Sequence, residues 1–236
     1  MIEEEKNMTD QEETLKNGAS GTTGSTKRLS AAQFFGVDRA SWTVPRLAGL
    51  GILTALTIVL QMLGSFIKFG PFSISLTLVP IVVGAALYGP LAGAWLGFVF
   101  SMVVLFTDAH AFLVINAPGT ILTVLLKGTL AGFLAGLVYV AFRKVRFGGD
   151  KVSVSLGVIL AAIVCPVVNT GIFLLGCLVF FLPTIRAWGE AAGYANVGAY
   201  MIVGFVGFNF LFELLFNLIL SPAIEMIVRI GRRALR

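Results

Sequence analysis

Charged residues are scarce in this chain. Only 12% of its 236 residues are Asp, Glu, Lys or Arg, whereas about a quarter is usual in soluble domains. From residue 47 onwards, long apolar stretches recur with few charges between them, and roughly 20 apolar residues suffice for a helix to cross a bilayer. The composition therefore excludes a water-soluble enzyme and a nucleic-acid-binding domain. It predicts an all-α protein that crosses the membrane several times.

Residue types that perform chemistry are also rare. The chain has one histidine, His110, and two cysteines, Cys165 and Cys177, which lie in a single apolar run. Two cysteines are too few for a disulfide framework, and without a nearby histidine they do not suggest a metal site. There is no GxxxxGK[ST] phosphate loop and no HExxH motif. We therefore expect no metal, no cofactor and no ATP hydrolysis in this chain, which is not predicted to be an enzyme.

The chain divides into a polar tail and a membrane domain. Residues 1–45 are acidic at first and then rich in Gly, Ser and Thr, so they cannot bury enough apolar surface to fold alone. We expect a disordered cytosolic tail, with a short interfacial helix at 31–37. Residues 46–236 are predicted to form one domain of six transmembrane helices. The predicted spans are about 47–65, 76–88, 91–107, 118–142, 154–182 and 198–228.

The basic residues predict the orientation of this domain. All but three of the 17 Lys and Arg residues lie in the tail, between the fourth and fifth spans, or after the sixth. The exceptions are Lys68, Arg186 and the intramembrane Lys127. Loops rich in Lys and Arg face the cytoplasm, so both termini are predicted to be cytoplasmic, as an even number of spans requires.

Two sets of glycines recur at intervals of four residues. They are Gly89, Gly93 and Gly97 in the third span, and Gly128, Gly132 and Gly136 in the fourth. This spacing places each set on one helix face, where small residues allow neighbouring helices to approach closely. Packing within the domain and docking to another subunit both remain open as explanations.

Polar residues inside the predicted spans indicate a binding site. They are Lys127 in span 4, Asn169 and Thr170 in span 5, and Asn209, Glu213 and Asn217 in span 6. At a rise of about 1.5 Å per residue, Lys127, Asn169 and Asn209 lie roughly 13–20 Å below the outer surface. We therefore predict a pocket open to the outside, with one cation and several amides. The alternatives are a Lys127–Glu213 ion pair and asparagines that only join helices.

The connection between spans 1 and 2 could cover this pocket. It runs Lys68-Phe69-Gly70-Pro71-Phe72-Ser73-Ile74-Ser75 and is predicted to lie outside. Phe69 and Phe72 are its aromatic residues and the candidate lid residues. A lid and a plain loop are both compatible with this composition.

The ordered set of these features resembles the substrate-binding S-components of energy-coupling factor (ECF) vitamin transporters. The stretches that carry the resemblance are GPFSISLTLVPIVVGAALYGPLAGAWLG (70–97), LLKGTLAGFLAG (125–136), VVNTGIFLLGCLVFF (167–181) and GFNFLFELLFNLILSPAI (207–224). The resemblance implies a six-helix membrane subunit of a prokaryotic plasma membrane. Such a subunit captures a vitamin outside and topples in the membrane to release it inside.

The resemblance also implies partners and a substrate class. An S-component works with a membrane T-component and two cytosolic ATPases, in contact with membrane lipid. In the family an Ala-xxx-Ala face on span 1 docks the T-component, and Gly51-xxx-Ala55 is the nearest match here. The resemblance is strongest to the branch with pantothenate and cobalamin, near riboflavin and folate. Lys127 as the counter-ion of a carboxylate favours pantothenate, whereas apolar helix faces would also accept the flat ring of riboflavin.

Two other classes of protein remain open. A stand-alone secondary transporter needs a coupling-ion site and commonly has inverted repeats. Glu213 alone is weak support for such a site, and no internal repeat is evident. A structural membrane subunit without ligand explains the glycines but not the similar depth of Lys127, Asn169 and Asn209.

Overall fold

The computed structural model describes residues 43–69, 72–73, 75–144 and 150–234. The predicted tail and its helix at 31–37 lie outside the described residues, apart from the last positions before 46. The first helix, α1, begins at Val44 with Pro45 in its first turn. Proline suits this position because the first amides of a helix have no intrahelical acceptor.

Six apolar helices dominate the described part of the chain. They are α1 (Val44–Ser65), α2 (Leu78–Tyr88), α3 (Pro90–Thr107), α5 (Ala117–Lys144), α6 (Asp150–Phe180) and α8 (Gly207–Ala234). All except α2 are long and apolar enough to cross a membrane. Shorter elements connect them: the strands β1 (Lys68–Phe69) and β2 (Phe72–Ser73), and the helices α4 (His110–Ile115) and α7 (Leu182–Ala191). The predicted all-α architecture with a short second span is confirmed.

Helix α2 is short because it lies in the interior of the bundle. At about 1.5 Å per residue, 11 residues extend roughly 16 Å, which is half of a bilayer core. Eight of its 11 residues are nevertheless buried. Leu78, Ile81 and Val82 are fully buried in a core that also contains Leu96 and Phe100 of α3. By contrast, α1 buries only Thr57, Gln61 and Gly64, so it lies at the edge of the bundle.

Glycines allow α3 and α5 to touch along their backbones. A Cβ atom at Gly97 would collide with the carbonyl oxygen of Gly128, and one at Gly93 with that of Gly132. A Cβ atom at Gly136 would lie 2.6 Å from Cα of Pro90. Both glycine sets therefore pack against each other inside the bundle. Of the two explanations offered by the sequence, internal packing is the one that the structure supports.

The turn between α2 and α3 requires glycine for its backbone. Gly89 has φ of 99°, a region that residues with a Cβ rarely adopt. Pro90 follows directly as the first residue of α3. The Gly89-Pro90 pair thus forms the whole connection between the two helices.

The sixth predicted span, about 198–228, is helical from Val197 onwards but is not one regular α-helix. Residues Tyr200–Phe205 form a π-helix, and the continuous helix α8 begins only at Gly207. Met201 and Phe205 of the π-helix are buried in a second apolar cluster with Phe112 of α4 and Ile185 of α7. Hydropathy alone does not separate a membrane span from an apolar cap that continues it. We refer to α4, α7 and the π-helix together as the aromatic cap.

Candidate functional site

A cavity of about 70 Å³ lies at one end of the helix bundle, next to the aromatic cap. It is bordered by the C-terminal parts of α1, α3 and α6 and by the N-terminal parts of α5 and α8. Helices α1, α3 and α6 therefore run towards the cavity, whereas α5 and α8 run away from it. The lining residues are Gln61, Ser75, Val104, Asp108, Ala109, Phe112, Thr120, Thr123, Val124, Lys127, Asn169, Thr170, Phe173, Phe181, Val206, Asn209 and Glu213. We call this end of the bundle the cavity end.

All five residues predicted to bind substrate line this one cavity. They are Lys127, Asn169, Thr170, Asn209 and Glu213, from three different helices. Asn169 is 4% exposed and Glu213 is 1% exposed. Buried side chains of this polarity are retained at a cost, which is usual for binding sites.

Lys127 lies between two aromatic rings. Its Nζ is 5.7 Å from the ring centroid of Phe100 and 5.3 Å from that of Phe173. Both distances suit a cation–π interaction. Within the described ranges, Lys127 forms no ion pair, so the direct Lys127–Glu213 pair considered from the sequence is absent there. Glu213 and Asp108 are the carboxylates whose charges interact with that of Lys127 without direct contact.

Asn209, Glu213 and Asn217 recur every four residues along α8, and their side chains have two different roles. Asn209 donates from Nδ2 to Glu213 Oε1 over 3.1 Å, so these two side chains are held together at the cavity wall. Asn217 instead donates from Nδ2 to the backbone oxygen of Glu213 over 2.9 Å. Asn217 does not line the cavity. The regular spacing of the three residues therefore reflects one helix face but not one site.

Several buried polar atoms at the cavity have no partner. Within the part of the chain that the structure describes, Thr123 Oγ1, Asn169 Oδ1 and Asn209 Oδ1 have no hydrogen-bond donor or acceptor. Ser75 and Asn169 lie beside the Glu213 carboxylate, whose Oε2 is also buried without a hydrogen-bond partner among the described residues. Because buried polar groups are nearly always hydrogen-bonded in native proteins, these atoms are the unsatisfied hydrogen-bonding groups of the cavity wall.

Sequence reasoning missed a second polar group on the opposite wall. Gln61 of α1 is 1% exposed and donates from Nε2 to Asp108 Oδ2 over 3.0 Å. Its Oε1 accepts from Thr77 over 3.1 Å. Thr107 Oγ1 donates to the same Asp108 oxygen over 2.8 Å. A signal was present, since Gln61 is a polar residue in an apolar run, but Asp108 is 47 positions away and only the fold joins them.

Aromatic rings form the wall of the cavity beneath the cap. Phe112, Phe173 and Phe181 line it. The Phe112 ring meets Phe173 edge-on at 5.7 Å and Phe181 edge-on at 5.1 Å between centroids. These rings provide apolar contact and a preference for flat groups. Sequence reasoning did not single them out, because phenylalanines occur throughout the chain.

The proposed lid residues are placed only by their backbone. Phe69 and Phe72 pair across the antiparallel strands β1 and β2, and Lys68 pairs with Ser73. The side chains of Phe69 and Phe72 lie outside the described residues, so the lid stays a prediction. Ser75, two residues after β2, does line the cavity.

The predicted docking residues lie on the exposed side of α1. Gly51 and Ala55 are both exposed, and a Cβ atom at Gly51 would meet nothing within 4 Å. This face is therefore open in the isolated subunit. Whether a T-component covers it stays a prediction.

A comparison with protein-family models identifies the class. Residues 45–225, well over half of the chain, match the model of the ECF transporter substrate-specific component. The chain belongs to this family. It is thus a multi-pass membrane subunit with a role in transport and not in catalysis. Neither the curated proteins nor the solved structures contain a match to the chain.

Proposed function

We propose that this subunit captures a small water-soluble vitamin from outside the cell, with pantothenate as the first choice, and delivers it with a T-component and two cytosolic ATPases. The observation that carries the proposal is the convergence on one cavity of the cation Lys127, four buried polar atoms without partners among the described residues, and an aromatic wall. Lys127, Asn169, Thr170, Asn209 and Glu213 are the proposed contacts of the substrate.

Pantothenate offers one group for each part of this cavity. Its carboxylate would be the counter-ion of Lys127, which lies over two aromatic rings and forms no ion pair among the described residues. A carboxylate binds an ammonium group more strongly than an aromatic ring does. Its hydroxyl and amide groups would satisfy the asparagines. Folate has two carboxylates, and the nearby Asp108 and Glu213 disfavour a second negative charge. No specific observation favours cobalamin.

Riboflavin is the second candidate, and a different observation favours it. Phe112, Phe173 and Phe181 could hold its flat ring, and edge-on or offset contacts with such rings stabilise binding. Riboflavin carries no carboxylate, however, so it would leave Lys127 without an anionic partner. The charge on Lys127 therefore distinguishes the two vitamins.

The size of the cavity requires some movement during binding. About 70 Å³ is well below the roughly 300 Å³ at which pockets for small organic molecules begin. We propose that the aromatic cap, which packs over the cavity end, moves outward when the vitamin enters. Phe112 and Phe181 belong to both the cap cluster and the cavity wall, so their displacement would enlarge the space directly.

The proposed orientation places the cavity end outside and both termini in the cytoplasm. Its support is the position of the basic residues at the end of α8, among them Arg229, Arg232 and Arg233. They lie at the opposite end of that helix from Asn209 and Glu213. Basic residues are retained on the cytoplasmic side.

The first experiment is mass spectrometry of small molecules released by denaturing the protein purified in detergent. Stoichiometric pantothenate would support the proposal, and another vitamin in the same amount would replace it. If the protein is empty, titration calorimetry with pantothenate, riboflavin, folate and cobalamin decides between them. Failure of all four to bind would contradict vitamin capture.

Uptake assays separate the proposal from a stand-alone secondary transporter. Vesicles should accumulate labelled vitamin only when this subunit, the T-component and both ATPases are present together with ATP. Accumulation by this subunit alone, driven by an ion gradient, would favour the secondary transporter instead.

A further inference from the structure

Asp108 is the one cavity residue with a carboxylate oxygen directed by two neutral donors. Gln61 Nε2 donates to Oδ2 over 3.0 Å, and Thr107 Oγ1 lies 2.8 Å from the same oxygen and shares its single proton between it and the backbone oxygen of Val103 at 3.0 Å. Gln61 is itself fixed, because its Oε1 accepts a hydrogen bond from the fully buried Thr77. The carboxylate is therefore held in one orientation by three residues from two helices and the turn before α2.

The second oxygen of this carboxylate is left for another partner. Across the described residues, no donor reaches Oδ1 of Asp108, although Asp108 lines the cavity. An ionised carboxylate has about four acceptor positions. A structural role alone would be fulfilled by the two bonds to Oδ2. Asp108 therefore has acceptor capacity left for a donor in the cavity that it lines.

We infer that Asp108 Oδ1 accepts a hydrogen bond from a hydroxyl or N–H group of the substrate, and that the substrate lies with this donor end at Asp108 and its anionic end at Lys127. The inference rests on the proposed capture of a vitamin by this cavity. Lys127 provides the only cationic side chain among the described cavity residues, and Asp108 and Glu213 provide the acidic ones. The wall thus has opposite polarity at different positions, which fixes the direction of an asymmetric ligand.

This assignment makes Asp108 a determinant of specificity and Gln61 and Thr107 positioning residues. Sites that contain a buried hydrogen-bonding group discriminate strongly against ligands that lack its partner. Pantothenate has hydroxyl groups at one end and a carboxylate at the other, so it satisfies both parts of the assignment. A molecule with a carboxylate at each end would not.

The test is a double-mutant cycle between protein groups and ligand groups, measured by calorimetry on the full chain in detergent. The protein variants are Asp108→Asn and Lys127→Met. The ligands are pantothenate, an analogue without its hydroxyl groups, and pantothenol, in which an alcohol replaces the carboxylate. Asn at this position keeps its carbonyl towards Gln61 and Thr107, and so presents an NH₂ donor where Oδ1 was an acceptor.

The expected result is a selective loss. Asp108→Asn should weaken pantothenate and pantothenol by about 10- to 100-fold, as for a hydrogen bond to a charged group. It should change the affinity of the analogue without hydroxyl groups by less than about threefold. Lys127→Met should give the complementary pattern, with loss for both carboxylates and little change for pantothenol.

Glu190→Gln is the matched control. Glu190 lies on α7, is exposed, and does not line the cavity, so this variant removes the same charge near the cavity end without touching the site. It should bind all three ligands like the unchanged protein. Equal weakening of all ligands by Asp108→Asn would overturn the inference and indicate a structural role. So would unchanged binding of pantothenate.

The outcome also separates this inference from the proposed function. If the unchanged protein retains a different vitamin, the cycle is run with that vitamin and an analogue without its hydroxyl or N–H donors, and absence of coupling overturns the inference alone. If the unchanged protein binds no vitamin, the proposed function and the inference both fail.

Discussion

Helix α5 passes through two regions that use its residues in opposite ways. Towards its N-terminus, Thr123 and Lys127 face the cavity with polar groups that have few partners. One residue further on, Gly128 begins the series that packs against the backbone of α3. The packed region stabilises the fold. The cavity region lowers the stability of the fold, because its buried polar groups lack partners in the empty protein. The adjacent residues Lys127 and Gly128 therefore allow the two purposes to be tested separately.

Replacement of Lys127 should have the largest effect in the cavity region. Lys127→Met keeps the length of the side chain but removes the counter-ion of the proposed carboxylate. We expect the affinity for pantothenate to fall by at least about 100-fold, as for other buried charge pairs. Calorimetry measures this loss. The thermal stability of the empty protein should not decrease, because a charge is removed from an apolar surrounding. Unchanged affinity would contradict the role of Lys127.

Replacement of Gly132 should show the opposite pattern. Gly132→Ala places a Cβ atom against the carbonyl oxygen of Gly93, so α3 and α5 must separate. Overpacking of this kind costs about 1–3 kcal/mol, measured as a lower melting temperature in detergent. Gly51→Ala is the matched control, because a Cβ atom there meets nothing within 4 Å and alanine favours the helix. Equal melting temperatures for the two variants would contradict the packing role of Gly132.

A bulky residue on α1 should leave both regions intact and affect a third property. We expect Gly51→Trp to reduce copurification of the T-component and ATP-driven uptake by about tenfold, as for loss of a hot spot, while vitamin affinity stays unchanged. Ile52→Trp is the control, since Ile52 is equally exposed but turned by about 100° around the helix. Similar loss with both variants would show that α1 contacts the partner without a specific small-residue face.

The smallest expected effect tests the cost of the cavity itself. Thr123→Val removes a buried hydroxyl without a partner, so it should stabilise the empty protein by about 1 kcal/mol and weaken vitamin binding. Thr57→Val is the control, because its hydroxyl is also buried without a partner but does not line the cavity. It should raise the melting temperature without changing affinity. Weaker binding in both variants would indicate an indirect effect.

The sequence predicted the parts of the fold that depend on local pattern. Six apolar runs, of which the second is short, follow from hydropathy. The spacing of small residues marked Gly97 and Gly128 as positions of close helix contact, and the structure shows that they contact each other. Lys127, Asn169 and Asn209 could be placed at one depth because helical rise is constant. Their shared cavity is what this depth predicted, whereas their role in binding stays a prediction.

The remainder depends on contacts between distant residues. The bond between Gln61 and Asp108 joins positions that are far apart in the chain, and neither residue is part of a periodic pattern with the other. In the π-helix at Tyr200–Phe205, Phe205 packs against Phe112 and Trp188, which lie far from it in the chain. An apolar run of this composition is equally suited to an α-helix in lipid, so hydropathy does not reveal the change of helix type within the sixth span.

The low burial of α1 has a consequence for how the subunit deforms. Only 17% of its apolar window is buried, against 44% for α3. Two of the side-chain bonds that attach it to the bundle are those from Trp95 to Thr54 and from Gln61 to Asp108. Most of the α1 surface is already in contact with lipid, so a movement of this helix exposes little additional surface. Backbone amides of α1 should therefore exchange with solvent deuterium earlier than those of α2, and α1 should be the first helix to shift under a lateral force.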